Sequence, residues 1–200
     1  MRNIIARSFL YCYSVVISTL IFYTGLSYFY PDFNRGFLYD KIDIWDDFYK
    51  YFLWMHLICT PFLMVLCGLL IFFNIHRKSV RLHRLLGKTA AYIALLLFLP
   101  SSLLMSFYSF GGAPGIAAFL LLTGLSLMFL IFALKRIKQR NIQQHRLWMT
   151  RFYILLLSGV NLRILLWIFG RDLSQGWQYA LLSVASWLPF LIVYEIAKNK

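Results

Sequence analysis

The chain has 200 residues, of which 61% are hydrophobic, 19% aromatic and only 14% charged. Soluble domains contain about a quarter charged residues, so this composition excludes an ordinary soluble domain. The net charge of +13 comes from basic residues that flank apolar segments without forming one patch, which argues against a nucleic-acid partner. We therefore predict a single polytopic membrane domain over residues 1–200.

Six apolar stretches are long enough to cross a bilayer, which takes about 20 residues of helix. In chain order, spans one to six are predicted at Ser8 to Tyr28, Tyr51 to Asn74, Lys88 to Phe107, Pro114 to Leu134, Leu147 to Phe169 and Trp177 to Ile196. Backbone groups in lipid must be hydrogen-bonded within their own segment, which favours helices. The predicted fold class is an all-α integral membrane protein in which spans two to five form a four-helix core bundle.

Charged residues predict the orientation of these spans. Basic residues are concentrated between spans two and three and between spans four and five: Arg77, Lys78, Arg81, Arg84, Lys88, Lys135, Arg136, Lys138, Arg140 and Arg146. We call this side the basic face. Most of the acids lie on the opposite side, the acidic face: Asp32, Asp40, Asp43, Asp46, Asp47 and Asp172.

By the positive-inside rule, the basic face and both termini are cytoplasmic in a cell (inner) membrane. The basic face is also expected to contact anionic lipid headgroups. For the acidic segment Asp40 to Asp47, a solvated loop is the favoured interpretation and an interfacial helix is the alternative.

Arg163 is the most unusual residue of the chain because it lies inside the apolar run of span five. A charge near the bilayer centre costs about 2.5–3.5 kcal/mol or more unless it finds a partner, so an intramembrane arginine suggests a functional site. The structural alternative is that Asn161, Ser158 or backbone carbonyls satisfy it, or that it extends to the surface.

His56 of span two is predicted at a depth similar to that of Arg163. Each lies about six residues from the outer end of its span, or about 8–9 Å at 1.5 Å per residue. If spans two and five are neighbours, these residues flank a pocket for an anionic or carbonyl-bearing group, such as a haem propionate or a quinone headgroup.

His83 and His145 mark the basic ends of spans three and five. Two neutral imidazoles from different helices can ligate one haem iron, so this pair predicts a haem b site. Arg84, Arg146, Lys88 and Arg151 are then candidates for the haem propionates. The alternative is that these interfacial His-Arg pairs bind lipid phosphates or cap helices.

Several of these residues belong to a recognisable pattern: His56, then His83-Arg84-Leu85-Leu86-Gly87-Lys88 with Tyr92, then His145-Arg146-Leu147-Trp148-Met149-Thr150-Arg151 with Tyr153, then Arg163. This pattern resembles a family of uncharacterised polytopic bacterial membrane proteins with HRxxGRxY and HRxWMxRxY signatures. The resemblance runs from about His56 to Arg163, within a family-like core at about residues 51–169. It implies a membrane location and supplies no activity.

Three functions stay open. The first is a small membrane redox protein that binds haem b, a quinone, or both. The second is a non-catalytic accessory or lipid-binding subunit of a larger membrane complex, with other membrane subunits as partners. The third, a transporter, is less favoured because no Asp or Glu lies deep within a predicted span. Hydrolase, protease and nucleotide-binding motifs are absent from the sequence.

Overall fold

The computed structural model describes residues 2–33, 38, 41–73, 75–169 and 176–198, and the regular structure within these ranges is helical. The α-helices are α1 (Arg2–Gly25), α2 (Ile42–Ile44), α3 (Lys50–Phe72), α4 (Ile75–Lys78), α5 (Val80–Ile93), α6 (Leu99–Phe107), α7 (Gly112–Lys138), α8 (Ile142–Leu156), α9 (Ser158–Phe169), α10 (Gly176–Ala185) and α11 (Leu188–Ala197). Of the residues used in the predictions, Asp40, Asn74 and Asp172 lie outside the described residues.

Six helical segments in the described part of the chain are long and apolar enough to cross a membrane. They run over Tyr11–Phe29, Ile42–Phe72, Val80–Phe107, Gly112–Lys138, Ile142–Phe169 and Gly176–Ala197. The prediction of an all-α membrane protein with six spans is confirmed, and the names span one to span six are kept for these segments.

Span two begins earlier than the sequence suggested. A π-helical turn over Trp45–Tyr49 joins α2 directly to α3, so helix replaces the expected loop from Ile42 onward. Trp45, Tyr49 and Leu53 follow one another at four-residue spacing and are only 6%, 1% and 2% exposed. Burial of this aromatic stripe stabilises a helical turn whose other face carries the acids.

Buried apolar residues from several spans form the main core. Its members include Leu63 of span two, Phe98 of span three, Leu130 of span four and Phe152 of span five. Trp187 of span six belongs to the same cluster. The four-helix core of spans two to five therefore stays a prediction, because span six also contributes to the centre.

Two spans are interrupted near their middle. Span five breaks at Leu157, between α8 and α9. Span six breaks at Ser186 and Trp187, just before Pro189, which has no N–H for the preceding turn. Asn161 Nδ2 in the first turn of α9 donates to Ser186 O at 2.8 Å, so span five is hydrogen-bonded to the interruption of span six.

The turn between spans three and four depends on glycine. Gly111 has φ +97°, a left-handed conformation that glycine adopts without strain. Gly111 also packs directly on Gly176 at the start of α10, where an added Cβ would lie 2.2 Å from Gly111 O. This contact holds the start of span six against the turn at the acidic face.

Candidate functional site

The bundle encloses a cavity of about 640 Å³ in the half nearer the acidic face. Side chains from all six spans line it, and much of its wall is apolar. Its polar groups are Tyr28, Tyr49, His56, Thr60, Ser102, Ser106, Tyr108, Ser109, Thr123, Ser126, Ser158, Arg163 and Tyr179. Among the described residues, no carboxylate lines the cavity. A mostly apolar chamber with a few convergent polar groups is the usual form of a small-molecule site.

His56 is held against the wall of this cavity by span three. Its Nδ1 lies 3.3 Å from the hydroxyl oxygens of both Ser101 and Ser102. The imidazole also stacks on the ring of Phe98, with ring centroids 5.4 Å apart and an angle of 29°. The polar contacts of the ring use Nδ1 alone, and Nε2 makes no hydrogen bond to the described residues.

Arg163 projects from α9 and lines the same cavity. The guanidinium makes no hydrogen bond or ion pair within the described part of the chain. Asn161, predicted as a structural partner, is instead bonded to span six. The groups that interact with Arg163 electrostatically are His56 and the phenols of Tyr28 and Tyr179. Among the described residues, the site therefore presents a cation with no carboxylate beside it.

Two further hydroxyls on the cavity wall have unused hydrogen-bonding capacity. Ser109 Oγ is buried and makes no hydrogen bond within the described ranges. Thr60 Oγ1, one helical turn after His56, is also buried and makes no hydrogen bond of normal geometry to the described residues, although the thiol of Cys59 lies beside it. Buried polar groups are normally satisfied by protein, water or ligand, so these hydroxyls are candidate hydrogen-bonding groups for a ligand in the cavity.

The histidines of the basic face form a separate group outside the cavity. His145 Nδ1 lies 2.9 Å from Ala133 O of span four. His83 is close enough to His145 to interact with it electrostatically, and its ring lies 5.8 Å from that of His76. Within the described ranges, no three His, Cys, Asp or Glu residues are arranged to hold a metal ion.

The basic-face arginines differ in their surroundings. Arg84 and Arg146 are exposed. Arg151 is only 8% exposed and forms two hydrogen bonds with Glu195 of span six: Nε to Oε1 at 2.6 Å and Nη2 to Oε2 at 3.2 Å. The Arg151 guanidinium also lies 4.2 Å from the ring centroid of Trp148. Arg151 is thus engaged in joining span five to span six.

The structure divides the sequence-predicted residues into two groups by depth. His56 and Arg163 lie on one cavity, while His83, Arg84, His145 and Arg146 lie at the opposite face. Sequence reasoning missed the hydroxyls around His56. The Ser101-Ser102 pair inside an apolar span, and Thr60 four residues after His56, were the available signals.

A family model described as predicted membrane protein (DUF2306) matches residues 53–197. The chain belongs to this family. The match extends through span six, which the sequence resemblance had left out, and the family carries no assigned activity. No curated protein and no solved structure matches the chain.

Proposed function

We propose that this protein binds a quinone headgroup in the cavity as part of a membrane redox function. The observation that supports the proposal is Arg163, an intramembrane cation that pairs with no carboxylate among the described residues and lines the same cavity as His56. A charged side chain within the bilayer is costly unless it is paired. An intramembrane arginine on the wall of a cavity is therefore a candidate ligand-binding residue.

A quinone fits the chemistry of this wall. It is flat and apolar around two carbonyl oxygens, and it gains negative charge when it is reduced. Arg163 is a donor for one oxygen, and a charge-assisted hydrogen bond there strengthens as that oxygen becomes anionic. His56 Nε2 is available to the other oxygen, where it can give or take one of the two protons by which quinol differs from quinone, while the two electrons pass to or from a redox partner in the membrane.

Haem b at the basic face is the second candidate. Ligating histidines usually donate their other ring nitrogen to a carbonyl or carboxylate, and the contact between His145 Nδ1 and Ala133 O has this form. His83 would supply the second ligand, and the exposed Arg84 and Arg146 would hold the propionates. A haem bound there would supply one-electron chemistry at the opposite end of the bundle from the quinone site.

The environment proposed for the protein follows the charge distribution. We place it in the inner membrane with the basic face and both termini in the cytoplasm, in contact with anionic lipid headgroups. Contact of its apolar helices with the lipid bilayer is implied by the six spans.

The test is binding of a tail-free benzoquinone to the protein purified in lipid nanodiscs. Arg163→Gln should weaken binding by about tenfold or more, because a charge-assisted hydrogen bond is lost. The same variant should be at least as stable as the wild type, because it removes an unpaired charge. Arg77→Gln, an exposed arginine of the basic face, is the matched control and should bind normally.

An absorbance spectrum before and after dithionite, recorded on the same preparation, tests the haem candidate. If wild-type protein binds no quinone and shows no haem bands, but other membrane proteins co-purify with it, the accessory-subunit function is favoured. Equal quinone affinity of Arg163→Gln and wild type would contradict the proposal.

A further inference from the structure

A groove lies beside the cavity and opens on the lipid-facing side of the bundle. It has a volume of about 270 Å³ and runs between span one and span five. We call it the lateral groove. Ile21, Val160 and Arg163 line both the groove and the cavity, so the two share a wall.

The lateral groove is apolar over nearly its whole length. Ile17, Leu20 and Ile21 form the span-one side, and Ile164 and Trp167 form much of the span-five side. Thr24 is the polar residue of the span-one side, but its hydroxyl already donates to Leu20 O at 2.9 Å. Apart from Arg163 at the shared wall, the described residues present no free polar group to an occupant of the groove.

The dimensions and position of the groove suit a hydrocarbon chain. From Ile17 to Thr24 the groove follows span one for seven residues, or about 10 Å at 1.5 Å per residue. Trp167 is 82% exposed near the end of span five, where an indole is favoured at the edge of the bilayer. A chain that enters from the acidic-face leaflet therefore reaches Arg163 without crossing a polar surface.

We propose that the lateral groove holds the hydrocarbon tail of the ligand whose headgroup occupies the cavity, and that the ligand enters from the lipid through it. This inference rests on the proposed quinone site and specifies its substrate class: a lipid-soluble quinone with a prenyl-type tail. Arg163 stands where headgroup and tail join, so it binds the headgroup at the point of entry.

The experiment compares two probes, a tail-free dimethoxy-methyl-benzoquinone and the same headgroup with a decyl tail, in nanodiscs. Ile164→Trp and Leu20→Trp fill the groove from opposite sides. Leu121→Trp is the matched control, because Leu121 is exposed on α7 and lines neither the cavity nor the lateral groove. Both filling variants should weaken binding of the tailed probe by about tenfold or more and leave the tail-free probe unchanged, while the control changes neither.

Each other outcome overturns the inference in a distinguishable way. If the filling variants bind both probes like the wild type, the groove holds no tail and the quinone site stands. If both variants lose both probes, the groove is part of the headgroup site and not a separate tail site. If the wild type binds neither probe, the proposed function fails and the tail site fails with it.

Discussion

The ion pair between Arg151 and Glu195 should stabilise the protein. The coupling energy expected for it follows from how deeply the two side chains are buried. Two hydrogen bonds join these side chains across spans five and six, and Trp148 covers the guanidinium. Removing one member of a fully buried pair costs about 3–5 kcal/mol, whereas exposed pairs contribute about 0–1 kcal/mol. The Arg151 side chain is 10% exposed and that of Glu195 36%, so we expect a coupling energy of about 1–3 kcal/mol.

The assay is a double-mutant cycle with Arg151→Met and Glu195→Gln, measured by unfolding in mixed micelles with increasing dodecyl sulfate. The matched control is a second cycle on Lys50 and Asp46, a pair at 2.9 Å in which the Asp46 side chain is 86% exposed. That pair should couple much more weakly, because solvent screens exposed charges. If both cycles give the same small value, the argument that Arg151 joins the two spans is refuted.

Two further predictions use other parts of the fold. Gly68→Ala places a Cβ 2.8 Å from Tyr153 Oη, so it should destabilise the protein by about 1–3 kcal/mol in the same unfolding assay. Gly124→Ala meets nothing within 4 Å and should stabilise by up to about 1 kcal/mol through helix propensity, so the reverse order of the two variants would contradict the packing argument. If the protein binds haem b at the basic face, His145→Ala should abolish its absorbance while His76→Ala retains it. Full haem content in His145→Ala would show that the ligand assignment is wrong.

The membrane class and the number of spans could be predicted from the sequence because hydropathy reports them directly. The start of span two could not, because Asp43, Asp46 and Asp47 make the segment polar on average. Its helix depends on burying Trp45 and Tyr49 against the rest of the bundle. Average polarity does not show which face of a segment is buried. The start of span two was therefore predicted too late in the chain.

The sequence predicted the level of His56 and Arg163 along their spans. It did not predict which other side chains lie near the candidate site. Counting residues from the span ends placed His56 and Arg163 at one level, and the structure puts both on one cavity. Counting residues along each helix does not show which helices are neighbours. The ion pair between Arg151 and Glu195 could therefore not be predicted from the sequence. Arg151 was instead interpreted as a partner for a haem propionate, a role that stays a prediction.

Span six is held by specific contacts at both of its ends. At the acidic face, Gly176 packs on the backbone of Gly111, and at the basic face Glu195 forms an ion pair with Arg151. Between these ends, Trp187 packs in the main core and Ser186 O accepts a hydrogen bond from Asn161, two residues before Arg163. The support of Arg163 therefore extends to span six, beyond the helix that carries it.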